Sequence, residues 1–118
     1  MKKPIIAVSQ RVENLRGIKE TRDCLDQKLS EWVYSIGGLI VPIPNFKEKY
    51  TIEWLEKINP KSIILSGGND IGSCNIRDMT ESLIIKFAEE RRLPLLGICR
   101  GMQMLGFMKK VPTIPVAN

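Results

Sequence analysis

The sequence predicts an α/β fold, a doubly wound parallel sheet in three layers. Three observations carry that reading. Short apolar runs alternate with longer amphipathic stretches, the pattern of βαβ units. The first run, residues 4–9, is almost continuously apolar, as a strand covered on both faces has to be. The last run ends in Gly97-Ile98-Cys99-Arg100-Gly101 and passes at once into a helix-forming segment. That is the pattern of a sharp strand-to-helix turn that lifts one side chain above the edge of a sheet.

The elements follow in order. Residues 4–9 form the first strand. Residues 10–22 are polar and contain Gly17, which predicts a loop over the carboxyl edge of the sheet, where ligands gather in open α/β folds. Asp23 or Asp26 begins a helix that runs to Ile36, with Leu25, Leu29, Trp32, Val33 and Ile36 on one face. Gly37-Gly38 ends it with a left-handed cap. A second strand spans 39–42 and turns at Ile43-Pro44-Asn45. A short helix covers 50–58 with Thr51 as its N-cap, and Asn59-Pro60 breaks it. The third strand is 62–66. A longer helix runs from Arg77 or Asp78 to Arg92, burying Met79, Leu83, Ile84, Phe87 and Ala88. The fourth strand is 94–98 and the last helix 100–108.

A length of 118 residues fits one domain, and an apolar share of 43% with 26% charged residues describes a globular chain, not a disordered one. The net charge of +5 is scattered in pairs such as Lys2-Lys3, Arg91-Arg92 and Lys109-Lys110, and aromatic residues make up only 6%. No basic stripe with interleaved aromatics results, so the sequence argues against a nucleic-acid partner. Met1-Lys2-Lys3-Pro4 opens like a signal peptide, but residues 5–8 are too short for its apolar core, and no apolar run reaches membrane-spanning length. Cys24, Cys74 and Cys99 are odd in number and widely spaced, and the sequence holds no histidine. That argues against a disulfide framework or a zinc site, so no metal and no cofactor are expected. A free thiol suits the reducing cytoplasm.

Chemistry concentrates on Cys99. A nucleophile at such a turn adopts a strained backbone, so small residues are needed two positions to either side, and Gly97 and Gly101 supply them. Its place at a helix N-terminus favours the thiolate. Gly67-Gly68-Asn69-Asp70-Ile71-Gly72 follows a strand but lacks the Lys-Ser/Thr of a P-loop and the spacing of a dinucleotide fingerprint, so by its residues alone it is a tight turn. Asp70 caps that turn or orients a substrate amine. Asp78 and Glu81 open a helix, where carboxylates complement the dipole. Cys24 packs near an apolar helix face and Cys74 lies in the loop near the site. Arg11, Arg16 and Arg22 belong to a solvated loop or bind an anionic substrate group.

The stretch from Gly97 to Gln103 resembles the active-site motif of class I glutamine amidotransferases, and within them the gamma-glutamyl hydrolase branch. Ile64-Leu65-Ser66-Gly67-Gly68-Asn69-Asp70 is similar to that family's strand and Gly-Gly-x-Asp loop. Arg77-Asp78-Met79-Thr80-Glu81 looks like its Arg-Asp-x-x-Glu helix opening. Ser9-Gln10-Arg11 and residues 22–27 resemble bacterial members found with surface-sugar and nucleotide-conjugate pathways. The resemblance reaches from near the start to about Leu105, with motifs in the family's order and spacing. It implies a flavodoxin-like amidotransferase sheet, of which these four strands make about the first half. It also implies hydrolysis of a gamma-glutamyl amide, a small-molecule substrate, through a thioester on Cys99. The N–H groups of Gly68 and Arg100 would form the oxyanion hole. Gly67, Asn69, Asp70 and Gln103 would contact substrate, although Gln103 equally braces the turn. Arg100 goes with the gamma-glutamyl hydrolase branch, where many synthetase-type members carry Leu or Tyr.

Residues 106–118 depart from that family pattern, and the family's His-x-Glu dyad has no counterpart here. A cysteine hydrolase needs a base and an acid near neutral pH. The expectation is therefore that residues 1–118 form the amino-terminal portion of one amidotransferase-like domain. The dyad then belongs to a complementary chain or to a missing second half. Two other readings stay open: a glutaminase supplying ammonia to a partner synthetase, and a non-catalytic truncated product or binding subunit.

Overall fold

The protein is described by a computed structural model over residues 2–109. The end of the tail that departs from the family pattern, 110–118, lies outside the described residues. The described elements are β1 (Ile5–Val8), β2 (Arg11–Asn14), β3 (Thr21–Cys24), α1 (Gln27–Ser35), β4 (Leu39–Pro42), α2 (Glu48–Ile58), β5 (Ser62–Leu65), α3 (Asn75–Arg91), β6 (Leu95–Gly97) and α4 (Arg100–Met108). Four strands form a parallel sheet in the order β4-β1-β5-β6, with Ala7 opposite both Val41 and Ile63.

The central strands β1 and β5 are apolar on both faces because both faces are covered. Ala7, Ile63 and Leu65 pack with Leu55 of α2, Ile84, Ile85 and Ala88 of α3, and Met104 of α4. Their neighbours in sequence, Ile6, Val8 and Ile64, point the other way and meet Val33 of α1. The alternation is the period of two that a pleated strand dictates. Helix, sheet and helix make the three layers, as in flavodoxin-like amidotransferase folds. The chain leaves β1 to build β4 on one side and returns to build β5 on the other. The topological switch point therefore lies between β1 and β5, where a crevice opens at the carboxyl ends. Ser9 and Ser66 stand there and are tied together, the Ser66 N–H donating to Ser9 Oγ at 2.9 Å and Ser66 Oγ–H to the Ser9 carbonyl at 2.5 Å.

The expected loop over residues 10–22 is instead mostly a hairpin. β2 and β3 pair antiparallel, Val12 opposite Asp23, as a two-stranded ribbon separate from the main sheet. The ribbon escapes sequence patterning because only Val12 of its side chains is buried. It is held through its backbone: Asn69 Oδ1 accepts from the Val12 N–H at 2.8 Å and Asn69 Nδ2 donates to the Val12 carbonyl at 3.1 Å. Asn45 adds a bond from Nδ2 to the Gln10 carbonyl and, through its N–H and Nδ2, two bonds to the Asp23 carboxylate of β3.

Helix limits need three corrections. α1 is capped by Asp26, whose carboxylate accepts from the Lys28 N–H at 2.9 Å, and Gly37 follows its end at φ +91°. Of its expected stripe Val33 is buried, whereas Trp32 and Ile36 are exposed, because no further element covers that end of the sheet among the described residues. α2 begins three residues before Tyr50's neighbour Thr51, at Glu48. Thr51 is not its N-cap but a buried residue whose hydroxyl donates to the Lys47 carbonyl. α3 begins at Asn75, and its buried stripe includes Arg77, Thr80, Glu81 and Ile85, while Met79 and Leu83 are only half-buried. No described helix is long and apolar enough to cross a membrane.

Candidate active site

Cys99 joins β6 to α4 at φ 52°, ψ −110°. Among the described residues three other non-glycine residues have positive φ, and two of them, Asn59 and Arg92, sit in the ordinary left-handed well at the ends of helices. The ψ of Cys99 lies outside that well, a placement that costs on the order of 1–3 kcal/mol and persists only when its surroundings enforce it. The surroundings do so. A Cβ on Gly97 would lie 2.6 Å from the Met102 backbone nitrogen, and one on Gly101 2.2 Å from the Leu65 carbonyl oxygen. Strand and helix cross so closely that only glycine fits at either position. The Ile98 N–H donates to the Leu65 carbonyl and the Gly101 N–H to the Ile98 carbonyl, both at 2.9 Å. The thiol is exposed at the head of α4, on the positive end of the helix dipole.

The loop after β5 lies beside it. A Cβ on Gly67 would sit 3.6 Å from Cys99 Cβ, so Gly67 faces the cysteine directly. Gly68 has φ +89° and Asn69 φ 49°, which turns the carbonyls of this loop inward. There Arg77, wholly buried, collects them: Nη2 donates to the Ser66 carbonyl at 2.7 Å, and Nη1 to those of Gly67 at 2.9 Å and Gly68 at 2.5 Å. Among the described residues the N–H groups of Gly68 and Arg100 have no acceptor.

Glu81 lies under both segments. It is fully buried; Oε1 accepts from Ser9 Oγ–H at 2.9 Å and Arg77 Nε at 3.0 Å, and Oε2 accepts from Arg100 Nη1. Arg100 Nη2 donates to Asp78 Oδ1, while Asp78 Oδ2 takes the Gly72 N–H at 2.8 Å. Two guanidinium groups thus meet two carboxylates, which makes burial of Arg77, Glu81 and Arg100 tolerable while Asp78 stays partly exposed. Burial nevertheless pulls the Arg77 guanidinium below its ordinary value, against the attraction of Glu81. Glu81 and Asp78 are therefore members of this network and not simply carboxylates that complement a helix dipole. Arg100 turns its charge onto them, leaving Cys99 the helix N-terminus.

A cavity of about 570 Å³ opens on the thiol. Of the expected site residues it brings together Cys99, Gly67 and Gly68. Arg11, Cys24 and Asp26 form its other wall, from the hairpin and the start of α1. Cys24 is thus a cavity residue, not mere helix packing. Its thiol is pushed up by desolvation and by Glu13 beside it. Asn69, Asp70 and Gln103 do not line the cavity: the Asn69 amide holds the hairpin, Asp70 is exposed and caps its turn through its carbonyl to Ser73, and Gln103 is exposed one turn along α4. Arg22 pairs with Glu20 outside it. The described residues contain no cluster of three or more His, Cys, Asp or Glu able to hold a metal.

The pattern of the Peptidase C26 family, which is class I glutamine amidotransferase-like, matches residues 4–109. The chain belongs to that family. It is 49% identical over 51 residues to the gamma-glutamyl-CDP-amidate hydrolase of Campylobacter jejuni, a match covering 38% of this chain and 26% of that protein. It is 29% identical over 120 residues to the gamma-glutamyl-gamma-aminobutyrate hydrolase of Escherichia coli, covering 89% of this chain and 46% of the relative. A glutamine-hydrolyzing GMP synthase of Ruthia magnifica is 42% identical over 53 residues, 45% of this chain and 9% of the synthase. The matched region thus spans less than half the length of each of these relatives.

Proposed function

We propose that this chain carries the nucleophile and oxyanion hole of a cysteine hydrolase that cleaves gamma-glutamyl amides. The observation that carries the reading is the strained Cys99 at the head of α4, beside Gly67 and above the cavity. The Cys99 thiolate attacks the gamma-carbonyl carbon, and the oxygen takes up the negative charge. The N–H groups of Gly68 and Arg100 stabilise that oxygen, each such donor contributing roughly 3–4 kcal/mol. The intermediate collapses to a glutamyl thioester as the C–N bond breaks and the amine leaves with a proton. Water then hydrolyses the thioester to glutamate and restores the thiol. The base that takes the thiol proton and passes it to the amine is not a histidine of these 118 residues. We assign it to a His-x-Glu in a second half of the same domain or in a complementary chain, in keeping with relatives about twice as long. Such free-thiol chemistry belongs in the reducing cytoplasm.

The leading substrate is a gamma-glutamyl conjugate, as the names of the Campylobacter and Escherichia relatives suggest. Likeness to GMP synthases favours a second reading, glutamine hydrolysis that feeds ammonia to a synthetase. The test compares glutamine with gamma-glutamyl conjugates as substrates of the protein joined to its His-x-Glu portion, with Cys99→Ala alongside. Turnover that vanishes in Cys99→Ala supports the proposal, and the preferred substrate separates the two readings. The 118-residue chain alone should turn over negligibly, because loss of the base removes most of the rate even where an oxyanion hole survives. Strong Cys99-dependent turnover by this chain alone would refute the assignment of the base. No turnover in either form would favour a non-catalytic binding role.

A further inference from the structure

We infer that Glu81 and Arg77 are positioning residues that set the two donors of the oxyanion hole, the N–H groups of Gly68 and Arg100, in register with each other. The inference rests on the proposed function for its catalytic meaning and on the buried network for its geometry. The two donors belong to separate segments, the loop after β5 and the first turn of α4. Nothing covalent nearby fixes their spacing.

The network does so in two arms. A trans peptide is planar, so the C=O of Gly67 and the N–H of Gly68 point in opposite directions. By donating to the Gly67 carbonyl at 2.9 Å, Arg77 Nη1 aims the Gly68 N–H away from the protein interior. Its bonds to the carbonyls on either side, Ser66 and Gly68, remove the remaining freedom of that loop. The second arm starts at Arg100, whose own N–H is the other donor and whose guanidinium lies 4% exposed under the loop. Glu81 joins the arms, one carboxylate oxygen on Arg77 and the other on Arg100. Its Oε1 also takes the Ser9 hydroxyl, which fixes the carboxylate to the switch point of the sheet. Asp78 repeats the linkage outside, between Arg100 and the Gly72 N–H. In a site this dry each bond is stiff, and a change at Glu81 reaches both donors.

The experiment uses Glu81→Gln, Arg77→Lys and, as a control on an exposed face of the same helix, Lys86→Gln, in the protein joined to its His-x-Glu portion. The amide resonances of Gly68 and Arg100 are followed by nuclear magnetic resonance. Glu81→Gln is expected to shift both together, although Glu81 bonds to neither N–H, and Lys86→Gln to shift neither. Arg77→Lys, whose single ammonium cannot span three carbonyls, should move Gly68 most. Against a gamma-glutamyl amide, Glu81→Gln should lower kcat about 10- to 100-fold, part of the 10²–10³ lost with a whole donor, at nearly unchanged KM. Alkylation of Cys99 by iodoacetamide develops no oxyanion, so its rate should stay within about threefold of wild type. Unmoved amides, or kcat retained in a folded variant, would overturn the inference. An equal drop in alkylation would overturn it too, since the effect would then lie on the thiol. If the wild type cleaves no gamma-glutamyl amide and the two amides still shift together, the proposed function fails and the coupling stands. If Glu81→Gln does not fold, Arg77→Lys decides by the same readouts.

Discussion

Replacing Gly101 and Gly67 by alanine separates the glycine that builds the turn from the glycine that borders the Cys99 side chain. Gly101 lies in the first turn of α4, where helix propensity alone favours alanine by about 1 kcal/mol. A Cβ there would stand 2.2 Å from the Leu65 carbonyl oxygen and 2.6 Å from Leu65 Cβ. Ordinary contacts need about 3.5–4.0 Å, so helix and strand have to part by more than about 1 Å. The nearest obstacle is the backbone of β5, which cannot turn aside like a side chain. Overpacking of this kind costs about 1–3 kcal/mol or more and outweighs the propensity gain. Gly101→Ala is expected to destabilise by about 2 kcal/mol, which at a urea dependence near 2 kcal/mol per M moves the unfolding midpoint down by about 1 M. At Gly67 the new methyl would meet Cys99 Cβ at 3.6 Å, an ordinary contact, and φ is not positive. Gly67→Ala should therefore unfold within about 0.5 kcal/mol of wild type, the range of substitutions that create no clash. It should still slow Cys99-dependent turnover, because the methyl occupies space beside the thiol. Urea unfolding followed by circular dichroism, paired with the substrate assay, checks both. A Gly101→Ala protein as stable as wild type would refute the close-crossing account of the turn.

In the folded chain, limiting iodoacetamide should label Cys99 before Cys24, as read by mass spectrometry. Cys99 is exposed, whereas Cys24 has a raised pKa, stays protonated to higher pH and begins to react only as the solution grows more alkaline than an ordinary thiol requires. Equal labelling at neutral pH would contradict this. Asp26→Ala removes the acceptor for the Lys28 N–H and should cost about 1 kcal/mol in the same unfolding assay. Asn69→Gly keeps the left-handed backbone but loses both bonds to Val12, so trypsin should cut faster at Arg16 and Lys19 in the hairpin, with the melting of the sheet little changed.

The parallel sheet and the turn at Cys99 were legible because their causes are local. Ile5, Ile6, Ala7 and Val8 are apolar in succession because both faces are covered, and Gly97 and Gly101 are required by contacts one turn away or on the neighbouring strand. The hairpin was not, since its seat is the amide of Asn69, 57 positions from Val12. The buried charges were hidden for a similar reason. Arg77 and Glu81 are spaced like an exposed i, i+4 pair. What turns them inward is a set of partners elsewhere: the Ser9 hydroxyl, the carbonyls of Ser66 and Gly67, and Arg100. A signal was present, because 77, 81, 84 and 88 form one continuous helical stripe that ends in Ile84 and Ala88. Read as a core stripe, it places two charges where only a paired network survives.

The way the hairpin is held has an evolutionary consequence. Asn69 grips the backbone N–H and carbonyl of Val12, and such a grip is indifferent to the side chains that the ribbon displays, whereas Asn45 holds the Asp23 carboxylate and so ties down that one position. Beyond Val12 the ribbon buries none of its own side chains, so most of its positions are free to drift without loosening it. Those positions include Arg11 and Cys24, which form the wall opposite the thiol. A lineage built on this plan can revise what lines the cavity by point substitution at strand residues other than Val12 and Asp23, while the turn and the charges beneath it stay as they are.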